Sequence, residues 1–274
     1  MKTAYKIGRR VAAALVAIGL LIMIIALMMG ASWQDAQVSL IPASYIGNWE
    51  SRHDTTGRFG PVSSSNVKET YTGVTSLQFD IEAGEVFITE GNSFSVEGRF
   101  VGTKFESAVK NGVWILKAEG NDFGRIGRSE HTILTITIPE GFSAEKMAID
   151  VSAGALSADR LIAKEAILTV GMGEIDIDAL YSQGAVIDCG MGSIDIEGKL
   201  LGKTIIDCGM GEVNLSIDGR EEDYGHTASV GMGEVHIGKG VNMAGVGGDS
   251  SLGAERPNQL YIDCGMGSVD IDFE

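Results

Sequence analysis

Carboxylates recur at fixed spacing in this chain. Asp188 and Asp207 lie 19 residues apart inside the phrase Ile-Asp-Cys-Gly-Met-Gly, and Asp176 and Asp195 lie 19 apart just after its counterparts. Glu85, Glu174, Glu212 and Glu234 each follow the second glycine of a copy. Carboxylates held about one strand spacing apart repel unless water, salt or a bound cation relieves them. A ladder of this kind supplies the hard oxygen ligands that calcium prefers, and a pair such as Asp176 and Asp195 has the residue types for acid–base work on a glycosidic bond. The calcium signatures are absent, both the Asp-x-Asp-x-Asp-Gly loop and the nonapeptide repeat. The ladder of Asp188, Asp207, Asp176 and Asp195 is therefore a cation candidate set against a plain solvated acidic face.

The remainder of an active site is missing. The tryptophans are Trp33, Trp49 and Trp114, the histidines His53, His131, His226 and His236 are scattered, and no lysine or arginine clusters beside the acids. There is no Gly-x-Ser-x-Gly elbow and no phosphate loop. The expectation is a protein that is not an enzyme and carries no cofactor.

Sulfur recurs too. Cys189, Cys208 and Cys264 share a column with Ile81, Val151, Val170 and Val230, so cysteine alternates with branched hydrophobes and reads as a buried apolar filler. The odd cysteine count, without Cys-x-x-Cys or an adjacent histidine, argues against a disulfide framework and a zinc site. Met172, Met191, Met210, Met232 and Met266 form another column. Counting alternation from Ile187 through Cys189 to Met191 puts them inward, which favours core filling over copper binding.

The elements that must carry these residues are short strands. Within one copy Ile187 and Cys189 share a parity that Asp188 does not, the period of a half-buried strand. After the glycines the phase slips, since Ile194 and Ile196 have the opposite parity, so the chain must turn a corner at Gly-Met-Gly. Aligned on the second glycine the copies are Gly84, Gly154, Gly173, Gly192, Gly211, Gly233 and Gly267, with a step of 19 residues from Gly154 to Gly211. Units that cannot close a core alone do so by stacking. The predicted fold is all-β, a single-stranded β-solenoid of 19-residue rungs over 76–274, with a β-rich N-terminal part at 76–147 and regular repeats at 148–274. Asn111-Gly112 predicts a hairpin before Val113. The last copy ends close to Glu274, which suggests an exposed terminal rung open to self-association.

Ahead of this domain, residues 1–10 form a basic tail with Lys2, Lys6, Arg9 and Arg10, and 11–30 are almost wholly apolar and uncharged. That length spans a bilayer as a helix, and the positive flank places the N-terminus in the cytoplasm and the C-terminal domain outside. The rival reading is a cleaved signal peptide, against which stand the length of the apolar run and the poor cleavage site at Met29-Gly30-Ala31. Residues 31–75 read as an extracytoplasmic spacer. Beyond the anchor, 17 basic residues face 37 acidic ones, a net charge of −20, which excludes nucleic acid as a partner.

Val113-Trp114-Ile115-Leu116, then Ile136-Thr137-Ile138-Pro139, then Ile149-Asp150-Val151-Ser152-Ala153-Gly154 and the successive glycine-plus-hydrophobic copies resemble the bacterial putative-adhesin domain of unknown function. The resemblance runs from Thr75 to Glu274. It implies a β-solenoid on a bacterial envelope serving adhesion or envelope-stress sensing, with cell-wall polysaccharide or an envelope protein as partner, and it brings no catalytic residues. The stacked aspartates keep open a second reading, a cation-dependent β-helix that binds or cleaves carbohydrate.

Overall fold

The structure, a computed structural model, describes residues 63–102, 104–120 and 131–274. The basic tail, the helix expected at 11–30 and most of the spacer lie outside the described residues. Among the described residues no helix is long and apolar enough to cross a membrane.

The all-β expectation holds for the described residues, in which 19 strands form one sheet, with one short 3-10 turn at Glu221–Asp223. Alternation of buried and exposed residues runs through the strands, as in β11 (Glu174–Cys189) and β12 (Ser193–Cys208). Each long strand spans the stretch between two corners. The second half of β11 pairs in parallel with the second half of β12, Ile187 beside Ile206 and Cys189 beside Cys208, a 19-residue offset. The first halves do the same, Ile175 beside Ile194.

Two series of parallel strands result. Before the corner lie β6 (Val113–Glu119), β2 (Ser76–Ile81), β8 (Ala144–Val151), β10 (Leu161–Val170), then the ends of β11 and β12, β18 (Asn258–Cys264) and β14 (Tyr224–Val230). After it lie β7 (Ile133–Pro139), β3 (Glu85–Gly91), β9 (Ala155–Ala158), the starts of β11 and β12, β13 (Glu212–Ile217), β19 (Ser268–Phe273) and β15 (Glu234–Ile237). Like residues therefore stack: Phe79, Ile149, Leu168, Ile187, Ile206, Ile262 and Ala228 form one buried column. Each large aliphatic side chain buried this way contributes about 1.5–3 kcal/mol.

Spatial order departs from chain order at the C-terminal end. The Gly267 copy, last in the chain, sits between the Gly211 copy and the Gly233 copy, because β18 pairs with both β12 and β14. The copy expected at an exposed end from the position of Glu274 thus lies between two others. The Gly233 copy is the outer one, and antiparallel strands β17 (Gly248–Leu252) and β16 (Val241–Ala244) cover its edge. At the other end β5 (Lys104–Lys110) covers β6 through the Asn111-Gly112 turn, where both residues have positive φ, 52° and 82°. There β4 (Phe94–Gly102) pairs antiparallel with β7, and β1 (Ser63–Tyr71) with β4. Residues 63–71, assigned to the spacer on composition, are therefore part of the sheet. Antiparallel strands at both ends satisfy backbone groups that an open parallel edge would expose.

Candidate functional site

The outward columns flanking the Gly-Met-Gly corner hold the four aspartates of the candidate ladder, Asp188, Asp207, Asp176 and Asp195. Before the corner, Asp80, Asp150, Thr169, Asp188, Asp207, Asp263 and Ser229 stand side by side in that order. After it the column reads Ser157, Asp176, Asp195, Asn214, Asp270 and His236. The structure thus brings Asp188 against Asp207 and Asp176 against Asp195, in two separate columns. Crowding within the sheet surface, and then the neighbouring carboxylate, raises the carboxyl pKa of Asp188, where the neighbour is Asp207, and of Asp207, where it is Asp263. Asp195 is relieved differently: Asn214 Nδ2 donates to its Oδ1 at 2.7 Å.

His236 Nδ1 lies 3.0 Å from Asp270 Oδ1, and that hydrogen bond raises the histidine pKa. Among the described residues, His236, Asp270 and Asp272 form a trio whose ligand atoms come within 4.8 Å of one another. The copies that carry His236 and Asp270 follow one another in the chain, so the two residues are neighbours in either order; the exchange of the last two copies instead sets Asp270, and not His236, beside Asn214. Asp272 was missed altogether.

The cysteine column is as expected. Cys189, Cys208 and Cys264 are free, adjacent in register and fully buried. The second glycine of the next rung closes over each of them. A Cβ on Gly211 would meet Cys189 Sγ at 2.6 Å, on Gly267 Cys208 Sγ at 2.7 Å, and on Gly233 Cys264 Sγ at 2.9 Å. Close approach, rather than a left-handed backbone, is what demands glycine here. A hydrogen bond with Cys189, and then burial, pushes the Cys208 thiol far up, and burial raises that of Cys264. These two sulfurs stay neutral and unreactive at ordinary pH.

The methionine column is not as expected. Met172, Met191, Met210, Met232 and Met266 are 53–62% exposed. Parity counting failed because β11 ends at Cys189 and β12 begins at Ser193, so the alternation does not run through Met191. The methionine occupies the apex of the bend, where its N–H donates to a carbonyl of the neighbouring copy and its side chain is more than half exposed. The signal was in the sequence, in the triplet of glycine, methionine and glycine that interrupts the strand.

Two shallow grooves open to solvent run along this corner. One is lined by Met172, Glu174, Glu85 and His131 among others, the other by Met191, Met210, Met232, Met266, Glu212 and Glu234 with the corner glycines. Asp176 is exposed and Asp195 half-buried on the sheet surface, and neither lines these two grooves. Trp114, the one tryptophan among the described residues, is a core residue: it is fully buried, packs on Tyr71 and Phe79, and its Nε1 donates to Ser107 Oγ at 3.0 Å. It offers no platform for a sugar ring.

No protein-family description and no curated protein matches the chain. Solved structures do. A putative cell adhesion protein from Clostridium sporogenes is 14% identical over 77% of this chain and 100% of its own, with a TM-score of 0.42. A putative adhesin from Bacteroides fragilis is 12% identical over 76% of this chain and 97% of its own, TM-score 0.44. A putative adhesin from Parabacteroides distasonis is 12% identical over 77% and 97%, TM-score 0.39. At this identity and these TM-scores the likeness assigns neither a family nor a role to the chain.

Proposed function

We propose that this chain is a non-catalytic binding or scaffold module of a bacterial envelope, a β-solenoid carried outside the membrane by an anchor at residues 11–30. The observation that supports it is the register of the outward columns. Side chains of one type recur on successive rungs at about the 4.8 Å strand spacing, a surface suited to a repetitive or extended partner rather than to one small substrate. Cell-wall polysaccharide or an envelope protein is the partner class that follows from the position and the acidic surface.

The raised carboxyl pKa values of Asp188 and Asp207 favour a second reading, a cation-dependent carbohydrate-binding or carbohydrate-cleaving surface, because a bound cation would relieve their repulsion. Sedimentation of the full chain with insoluble cell-wall polysaccharide, with calcium and with chelator, tests both. The first reading expects retention in either condition and no released sugar. Retention that needs calcium, or release of soluble sugar, favours the second. A chain that stays in the supernatant throughout removes polysaccharide as the partner. The topology has its own test: protease added to intact protoplasts should digest the C-terminal domain, and full protection would refute an outside location.

A further inference from the structure

The methionines at the corner have no structural need to be methionine. In the Gly84 and Gly154 copies the same apex is Ala83 and Ala153, so the bend forms without a long side chain. A large apolar group with more than half its surface in water gains little from burial, and five in a row make an apolar stripe on a strongly acidic protein. What the five share beyond apolarity is a thioether sulfur.

Their spacing is fixed by backbone. Met191 N donates to Gly171 O, Met210 N to Gly190 O, Met266 N to Gly209 O and Met232 N to Gly265 O, each at 2.7 Å. In space the order is Met172, Met191, Met210, Met266, Met232, one per rung. Neighbouring rungs stand about 4.8 Å apart. Two metal–sulfur bonds of about 2.3 Å placed end to end span about 4.6 Å, so consecutive sulfurs in like rotamers can hold a two-coordinate ion between them without moving the backbone. A third thioether can swing in, because the methionine side chain is unbranched and flexible.

The charge around the stripe suits a cation. Glu212 and Glu234 line the same groove as four of the methionines, Glu174 lines the other, and among the described residues neither groove has a lysine or arginine in its lining. Neutral thioethers are soft ligands that select copper(I) over calcium, magnesium or zinc, and the nearby carboxylates balance the ion's charge.

We propose that the corner methionines form a thioether ladder binding copper(I), centred on Met191, Met210 and Met266. No change of oxidation state is involved, since the ion enters and stays as copper(I). The buried thiols are the competing ligands, although the corner glycines separate them from solvent. The site is independent of the polysaccharide reading above.

The test uses the full chain in detergent under anaerobic, reducing conditions, with copper(I) presented as its bicinchoninate complex, whose colour falls as the protein withdraws metal. The wild type and the triple variant Cys189→Val, Cys208→Val, Cys264→Val should both withdraw copper. The triple variant Met191→Leu, Met210→Leu, Met266→Leu keeps an apolar stripe without sulfur there, and should hold copper at least about tenfold more weakly. Circular dichroism and melting temperature verify that each variant is folded. A folded leucine variant that binds as well as wild type, a folded valine variant that has lost copper, or a wild type that withdraws none would overturn the proposal. So would equal competition by zinc, which would mean that the carboxylates are the ligands.

Discussion

The same corner carries two columns of sulfur that live in opposite environments. Cys189, Cys208 and Cys264 stand inside, fully buried beneath the glycine of the next rung, whereas Met191, Met210 and Met266 stand two residues later with more than half their surface in water. Both columns repeat with the rungs and both are apolar by composition. The difference shows that the repeat specifies what is common to every rung, while the path of the backbone through three residues decides which side of the wall a column occupies.

The sharpest way to break that comparison is to fill the wall between the columns. A Cβ on Gly192 would lie 2.5 Å from Val170 Cγ1 and also against the Gly173 carbonyl oxygen, whereas one on Gly184 would meet nothing closer than Lys203 O at 3.6 Å. Gly192→Val should cost about 3 kcal/mol or more through overpacking and disturbed neighbours, and Gly184→Ala should stay within about 0.5 kcal/mol. Denaturant midpoints of the two variants decide it. Equal midpoints would mean that no close contact exists at the corner.

The same new charge placed in each column comes next. Cys208→Asp buries an unpaired carboxylate and should cost about 3–5 kcal/mol, while Met210→Asp, two residues away and solvent-facing, should cost under about 1 kcal/mol. Cys208→Val should cost less than about 1.5 kcal/mol, because valine already fills that column in three other copies. Thermal melts that rank Met210→Asp with Cys208→Asp would return the methionines to the core.

Two histidines extend the contrast to pH, with opposite signs. His226 is buried against Ser250, and burial, then Arg256, lowers its pKa. A histidine lowered in the folded state supports stability above its unfolded pKa of about 6.5 and loses that support as pH falls through the folded value. His236 points outward and is raised by its hydrogen bond to Asp270. Its contribution is complete below about 6.5 and lost as pH rises through the folded value. His226→Gln should therefore flatten the stability profile on the acid side of pH 6.5, and His236→Gln on the alkaline side. Melting temperatures across that range provide the check, and interchanged effects would contradict the placement of these side chains.

The smallest effect belongs to the acidic column. Because the folded state raises the Asp207 carboxyl pKa, ionisation there opposes folding at neutral pH. Asp207→Asn should stabilise the protein by a few tenths of a kcal/mol at pH 7 in low salt, in proportion to solvent screening. The gain should shrink in high salt. A loss of stability at both salt concentrations would show that the carboxylate has a partner it needs.

The strand columns were legible from sequence because a parallel, in-register array turns a 19-residue spacing directly into spatial neighbours. The pairings of Ile187 with Ile206, Asp188 with Asp207 and Cys189 with Cys208 follow from that alone. The hairpin at Asn111-Gly112 was legible for a local reason, since few residues accept positive φ at two successive positions. The methionines were not legible by parity, which holds only while a strand continues and carries no information once Cys189 ends it.

The sequence by itself determined the strand alternation, the corners and the contents of each column, because these follow from side-chain period, glycine and repetition within a single copy. Tertiary structure alone decided that the Gly267 copy lies between those of Gly211 and Gly233, which set Asp270 rather than His236 beside Asn214 and turned the copy expected at the end into an interior one. The physical reason is that the copies are nearly interchangeable in the ladder. Their order in space is set by which edges the intervening strands β16 and β17 can cover, and that choice depends on packing at the end of the sheet rather than on any pattern within one copy.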